Sequence, residues 1–499
     1  MVGATEANAG TDRRFMYEAN VTGVAASGVL APYFIGSLNH GKTTWRRSAT
    51  LDARLQTDLD TAARFSWAAG IEFLAGPSAS VRYDRWDADN HIWTTNTAGA
   101  AIANIQQLWG EIKYRSVFMR VGQKDQTSAL LNESLSSGDL TRSSNARGIP
   151  GVEVGFIDFQ DIPFTNGWLQ IDGVIEYGKM QDDKFNDNQF NYYTGVWTSD
   201  LWYTYKRCYF RTNPEKAFSV TLGMQAAGQF AGSTISYSHG LQGFTEKRGF
   251  KFKDIIRMFI PMQGNTVDDY YEGNSLGTWD FKARYRLKNG SDLSFALQWP
   301  WEDGSGIGRR NGWDGLWGLY YESQKPGIVT GAAVEYLDFT NQSGPIHWAP
   351  GDFPGTTLTG VATGGDDYYN NAYYNAWSNF GMAIASPFLV SPVYNTNGYP
   401  GFKRNRARGV HAAIRGYITD NITYAAKYSW QQAWGSGRTP SPYCLIDNSM
   451  MVSVGWDAKA VVDGLSLSGT LAIDTGKLRS DNVGFMLSAS YKGDFSFGR

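Results

Sequence analysis

Only two cysteines, Cys208 and Cys444, occur in 499 residues. That excludes a disulfide framework or a cysteine-built metal cluster, and leaves two free thiols as the expectation, with one bridge between them as the other possibility. The five histidines, His40, His91, His239, His347 and His411, lie far apart and none falls in H-x-x-x-H spacing, so no metal and no cofactor is expected. The formal net charge is only -2, with Lys and Arg scattered, which lacks the basic face that a nucleic-acid partner requires. No run of about 18 apolar residues is present, so no helix of this chain is expected to span a bilayer. Met1 to Gly10 has no apolar secretion-signal segment, as expected of a mature or trimmed chain. Charged residues make up 18%, below the roughly 25% of ordinary soluble domains.

Aromatic residues reach 15% and glycines number 57, and both fall into a pattern. In Val483 to Phe497, the residues Val483, Phe485, Leu487, Ala489, Tyr491, Phe495 and Phe497 alternate with Ser488, Ser490, Lys492, Asp494 and Ser496. A period of two held over that length is a strand with one apolar and one polar side. The same pattern recurs from Phe15 to Gly23, from Ala49 to Leu59 and from Phe65 to Phe73. It is plainest in Trp279 to Trp299, where Trp279, Phe281, Ala283, Tyr285 and Leu287 alternate with Asp280, Lys282, Arg284 and Arg286 before Asn289-Gly290 turns the chain. Charges at every second position cannot face lipid, so they face a polar lumen. A second hairpin, Val410 to Trp430, places His411, Arg415 and Lys427 inward in the same way.

Short turns, such as Asp60 to Arg64, Arg211 to Lys216 and Thr419 to Asn421, alternate with long polar segments. The long segments include Ala26 to Thr44, Gly76 to Ala103, Gln123 to Arg147, Gly228 to Ser275, Phe339 to Arg408, Gly435 to Ser449 and Thr475 to Asn482. This asymmetry predicts an all-β fold: one antiparallel outer-membrane β-barrel of about eighteen strands, with tight periplasmic turns and long external loops. Residues 1–499 form a single domain, with 1–14 as a periplasmic extension. No linker interrupts the alternation, and the loops are long enough to plug the lumen.

Enzyme motifs fail on context. Gly273-Asn-Ser275-Leu-Gly277 matches a nucleophile elbow in letters only, because it precedes a barrel strand and no helix follows. Gly304-Ser-Gly306-Ile-Gly308 resembles a phosphate loop without its strand and helix. No catalytic residue is expected. Flat aromatic faces interleaved with short carboxylates and amides suit carbohydrate, since pyranose C–H faces stack on rings and hydroxyls meet Asp and Asn. Trp301, Asp303, Trp313, Asp366, Asp367, Tyr368, Tyr369, Tyr373, Tyr374 and Trp377 are therefore candidate sugar-contact residues; loop packing and an aromatic girdle are the alternative. Arg142, Asn145, Arg147, Arg284 and Arg415 are candidate lumen or plug residues. The first three either bind sugar hydroxyls and carboxylates or close the lumen through internal ion pairs.

Gly110 to Arg115 (G-E-I-K-Y-R), Val121 to Lys124 (V-G-Q-K), Ser143 to Pro150 (S-S-N-A-R-G-I-P), Pro163 to Trp168 (P-F-T-N-G-W) and Asp366 to Asn371 (D-D-Y-Y-N-N) resemble the capsule assembly protein Wzi family. Gly148 stands where that family's pattern has proline. The resemblance spans most of the chain. It implies an eighteen-stranded barrel acting as a lectin, attaching capsular or exopolysaccharide to the outer membrane among lipid bilayer, lipopolysaccharide and other outer-membrane proteins. A passive or substrate-specific channel and a structural subunit of a larger complex remain the other readings of the same pattern.

Overall fold

The structure, a computed structural model, describes residues 13–99, 101–259, 273–302, 304–349, 351–352, 354–355 and 361–497. Its wall is a closed antiparallel barrel of 18 strands. In chain order these are β1 (Arg13–Leu30), β2 (Trp45–Thr57), β3 (Phe65–Pro77), β4 (Ala101–Tyr114), β5 (Val117–Gln123), β6 (Gly151–Phe156), β7 (Leu169–Lys179), β8 (Trp202–Thr212) and β9 (Phe218–Phe230). They continue with β10 (Asn274–Arg286), β11 (Asp292–Trp301), β12 (Gly315–Glu322), β13 (Gly331–Asp338), β14 (Ala407–Thr419), β15 (Ile422–Gly435), β16 (Pro440–Asp457), β17 (Leu465–Gly476) and β18 (Asn482–Phe497). Beyond β6, Gln160–Asp161 adds a short second pairing with β7. Each strand pairs with the next. The cylinder shuts between β1 and β18, where Phe15 pairs with Phe495 and Ala26 with Gly484, so every wall strand among the described residues has a neighbour on both sides.

The alternation sorts the side chains as a membrane barrel requires. Val21, Leu51, Leu222, Leu319, Val334, Val452 and Leu487 are exposed on the outer face. Inward positions of the same strands carry Asp52, Gln225, Glu335 and Ser449, all buried. An apolar outside around a polar inside is the arrangement of an outer-membrane β-barrel. At the short-turn end, exposed Phe65, Tyr114, Trp168, Phe218, Tyr285 and Phe495 make an aromatic rim, where amphipathic rings meet the polar boundary of the bilayer. No helix among the described residues is long and apolar enough to cross a membrane.

Three expectations are adjusted. Gly435 to Ser449 is mostly strand: Gly435 pairs with Pro440, and residues 436–439 make the turn. Likewise, β17 ends at Gly476 and β18 begins at Asn482. These ladders run past the apolar belt, where both faces are wet and the alternation that marks a strand in sequence is no longer needed. Arg13 and Arg14, expected within an extension over 1–14, belong to β1, and 1–12 lie outside the described residues. Cys208 and Cys444 are both free and exposed.

Candidate functional site

The barrel interior is packed with its own loops. Leu135, Leu140, Ala146 and Ile149 of the segment 124–150 join Tyr368, Tyr369, Trp377, Ile384, Phe388 and Phe402 of the segment 339–406 in one buried core, with Tyr203, Leu276 and Leu337 of the wall. Burial of this many large apolar side chains supplies the drive to hold the loops inside, at about 1.5–3 kcal/mol for each fully buried large side chain.

Polar groups fix where the plug sits. Arg142 donates to Glu176 of β7 at 2.5 Å, and its guanidinium lies 3.5 Å from the centroid of the Tyr205 ring on β8. Asn145 is fully buried: its Nδ2 donates to the Ala383 carbonyl at 2.9 Å and its Oδ1 accepts from the Leu38 amide at 3.2 Å, so one side chain joins three loops. Asp139 accepts from Gln225 of β9 at 3.1 Å and Gln298 of β11 at 2.9 Å. Glu335 of β13 accepts from the Ser137 amide at 2.9 Å and the Tyr320 hydroxyl at 2.6 Å. His411 of β14 bonds the Leu135 carbonyl at 2.9 Å. Inward polar residues of the wall thus spend their hydrogen bonds on the plug, as buried polar groups must.

Of the other lumen candidates, Arg147 donates to the Ile105 carbonyl and covers the Phe380 ring at 5.3 Å. Arg284 caps the carbonyls of Pro214 at 2.6 Å and Lys216 at 3.0 Å, at the short-turn end. Arg415 lies 4.0 Å from Glu322.

The sugar-contact candidates separate into two populations. Trp301, Tyr368, Tyr369, Tyr374 and Trp377 are buried, as are Asp366 and Asp367. The Tyr368 hydroxyl donates to Asp314 at 2.9 Å, the Tyr369 hydroxyl to the Leu140 carbonyl at 2.7 Å, and Trp377 Nε1 to the Thr141 carbonyl at 2.9 Å. Asp366 accepts from the Ser343 hydroxyl at 2.6 Å and Asp367 from Asn405 at 2.7 Å. Burial lifts the Asp314 carboxyl to about 6 and pushes the Tyr368 and Tyr369 phenols well up. Asp303 lies outside the described residues. Two candidates face solvent: Trp313, whose carbonyl accepts from Trp317 Nε1 at 3.1 Å, and Tyr373, 49% exposed.

Tyr373 sits in a built surface patch. Its carbonyl accepts from the hydroxyls of Thr198 at 3.1 Å and Thr234 at 2.8 Å. This seats it on a small sheet of Gly195–Ser199, Gly232–Ser238 and Leu241–Arg248 raised above the wall. The exposed Phe244 ring lies 5.8 Å away, and the Arg248 guanidinium lies 5.5 Å from the Tyr373 ring and 5.1 Å from that of Tyr374. Phe244 and Arg248 were not legible as site residues, because the strand carrying them lies more than a hundred positions from Tyr373. Between the plug and the inner wall of β15 to β18 lies a cavity of about 600 Å3, lined by Phe34, His40, Leu131, Glu133, Lys427 and Met451. Among the described residues no metal-sized cluster of His, Cys, Asp and Glu occurs.

No protein-family model and no curated protein sequence matches the chain. Solved structures do. One is Wzi of Escherichia coli, an outer-membrane protein involved in group 1 capsule assembly and described as a carbohydrate-binding β-barrel. It is similar at a TM-score of 0.54 and 13% identity, over 96% of this chain and 85% of Wzi. OccAB2 of Acinetobacter baumannii gives 0.49 and 8% identity over 97% and 98% of the two chains. OprD of Pseudomonas aeruginosa gives 0.46 and 8% over 98% and 96%. At these identities the likeness is one of fold.

Proposed function

We propose that this chain is a polysaccharide-binding protein of the outer membrane: the apolar belt sits among lipid and lipopolysaccharide, and the long-loop end holds capsular or exopolysaccharide at the cell surface. The observation that carries this reading is a plug bonded to the wall on several sides beneath an exposed pair of rings, Tyr373 and Phe244, with half-buried Arg248 at their edge. Two rings offer stacking faces to pyranose C–H groups, and beside them the Arg248 guanidinium, paired with Glu246 and donating to Thr234 at 3.0 Å, gives the patch a polar edge. Most of the other tyrosines and tryptophans of this region serve this reading indirectly, by building the plug that supports the patch. The fold likeness to a carbohydrate-binding barrel is consistent with it.

The test is binding of the detergent-purified protein to the surface polysaccharide of its source cell, wild type against Tyr373→Ala. Saturable binding weakened in the folded variant supports the reading. An intact barrel with no affinity for that polysaccharide sinks it.

A second reading has its own observation. The cavity beside Lys427 and Glu133 is a space of ligand size inside the barrel, as in a substrate-specific channel. Planar-bilayer conductance separates the two: steady open-channel current from the wild-type protein favours the channel.

A further inference from the structure

A second group of rings stands apart from the Tyr373 patch. The hairpin Val81–Asp87 and Ile92–Ala98 pairs Trp86 with Trp93, their centroids 5.4 Å apart at 63°. Tyr193, from the segment between β7 and β8, lies 5.3 Å from Trp86 and 5.0 Å from Trp93. His91 flanks Trp86 at 6.2 Å and His239, from the segment between β9 and β10, flanks Tyr193 at 6.0 Å. Three loops contribute five rings, and Trp93 is 51% exposed.

The cluster is held in place by backbone. The amide of Trp86 donates to the Asn191 carbonyl at 2.8 Å, that of Asp84 to the Thr396 carbonyl at 2.8 Å, and that of Gly240 to the Tyr193 carbonyl at 2.9 Å. Gly240 has φ +78°, and a Cβ there would stand 2.3 Å from Trp86 Nε1, so only glycine lets the third loop close on the indole. His91, Tyr192 and His239 all hold left-handed backbone, at φ 53°, 54° and 52°. Non-glycine residues keep that conformation where the surroundings enforce it, and such positions gather at ligand sites.

We propose that Trp86, Trp93 and Tyr193, rimmed by His91 and His239, form a binding platform for an uncharged pyranose unit of a surface glycan. This rests on the polysaccharide-binding reading and adds to it a second site and a sugar class. The rings are inclined to one another at 48° to 72°, a stepped aromatic surface that suits one sugar face better than the flat wall of a protein. Lipid is not the occupant, because the hairpin is seated on Asn191 and Thr396 of the loops at the barrel mouth and not on the apolar belt. The guanidinium of neighbouring Arg85 lies 4.5 Å from the Tyr192 ring, turned to a ring outside the five. Hydrogen bonding comes from the imidazoles and from Asn90 and Asp87 at the hairpin tip, where Asn90 Nδ2 donates to Asp87 at 2.9 Å. This is the equipment for hydroxyls.

The experiment uses the full chain in detergent and the surface polysaccharide of its source cell, with methyl glycosides of glucose, galactose and mannose as neutral competitors. Trp93→Ala removes an exposed ring, Trp93→Tyr keeps an aromatic face there, and Gly240→Ala pushes against the Trp86 indole. Trp93→Ala is expected to weaken binding about tenfold, with Trp93→Tyr restoring most of it. At least one neutral glycoside is expected to compete and to change the tryptophan fluorescence of wild type but not of Trp93→Ala. If wild type binds the polysaccharide and Trp93→Ala and Gly240→Ala bind it equally well while remaining folded, the platform is overturned and the functional reading survives. If wild type binds nothing, both fall.

Discussion

Arg142 and Glu176 form an ion pair of 2.5 Å with both side chains withdrawn from solvent, one on the plug and the other on the wall strand β7. Removing one partner of a buried pair leaves the other charged and unpaired, which costs about 3–5 kcal/mol. Glu176→Ala is therefore expected to lower the thermal midpoint of the detergent-solubilised barrel and to raise its planar-bilayer conductance as the plug loosens. A melting curve superimposable on wild type, with no new current, would show that this pair does not hold the plug.

Substitutions in the aromatic segment should divide by burial. Trp377 is fully buried, stacks on Tyr203 at 5.7 Å and donates to Thr141, so Trp377→Ala should cost about 3–5 kcal/mol. Tyr373→Ala, at an exposed ring, should stay within about 0.5 kcal/mol of wild type yet weaken polysaccharide binding. Parallel melting and binding curves check both, and equal destabilisation by the two would contradict the division.

Asp314 supplies a pH dependence of definite sign. Burial raises its carboxyl from 3.8 to about 6, so the folded state holds the proton more tightly than the unfolded chain. Its contribution to stability is fully present below pH 3.8, falls as the pH rises through the interval, and is gone above about 6. Over that interval the loss is at most about 3 kcal/mol. In Asp314→Asn this slope should vanish, which the difference between wild-type and variant melting midpoints across the same pH range would reveal. A constant difference would place the titration elsewhere.

The two thiols report orientation. Cys208 is exposed in the middle of β8, paired across Met224 and Gly173, on the lipid-facing side. Cys444 is exposed near the long-loop end of β16. On intact cells a membrane-impermeant maleimide is expected to label Cys444 and spare Cys208. Labelling of neither until the cells are opened would place the long loops on the periplasmic side.

Much of the wall was legible because its cause is local. Period-two alternation in Trp279 to Trp299, with Asn289-Gly290 between the runs, determines which residues face out, where the hairpin turns and which pairs form, and Trp279 does sit opposite Trp299. Legibility ended where both faces of a strand become wet, as at Pro440 to Asn448, since there the pattern carries no signal.

The plug had no such signature. Tyr368 and Tyr373 read alike in sequence, five residues apart among the same Asp and Asn neighbours, yet one is buried against Asp314 and the other is exposed beside Phe244. What separates them is contact with residues far along the chain: Thr141 for Trp377, Ala383 for Asn145, Leu140 for Tyr369. The sequence by itself determined a closed strand cylinder with an apolar outside and a polar inside, because side-chain direction in a strand depends only on neighbouring positions. Only the tertiary structure decided which aromatic rings became core and which became surface, because that depends on where long loops meet once the barrel has brought their ends together.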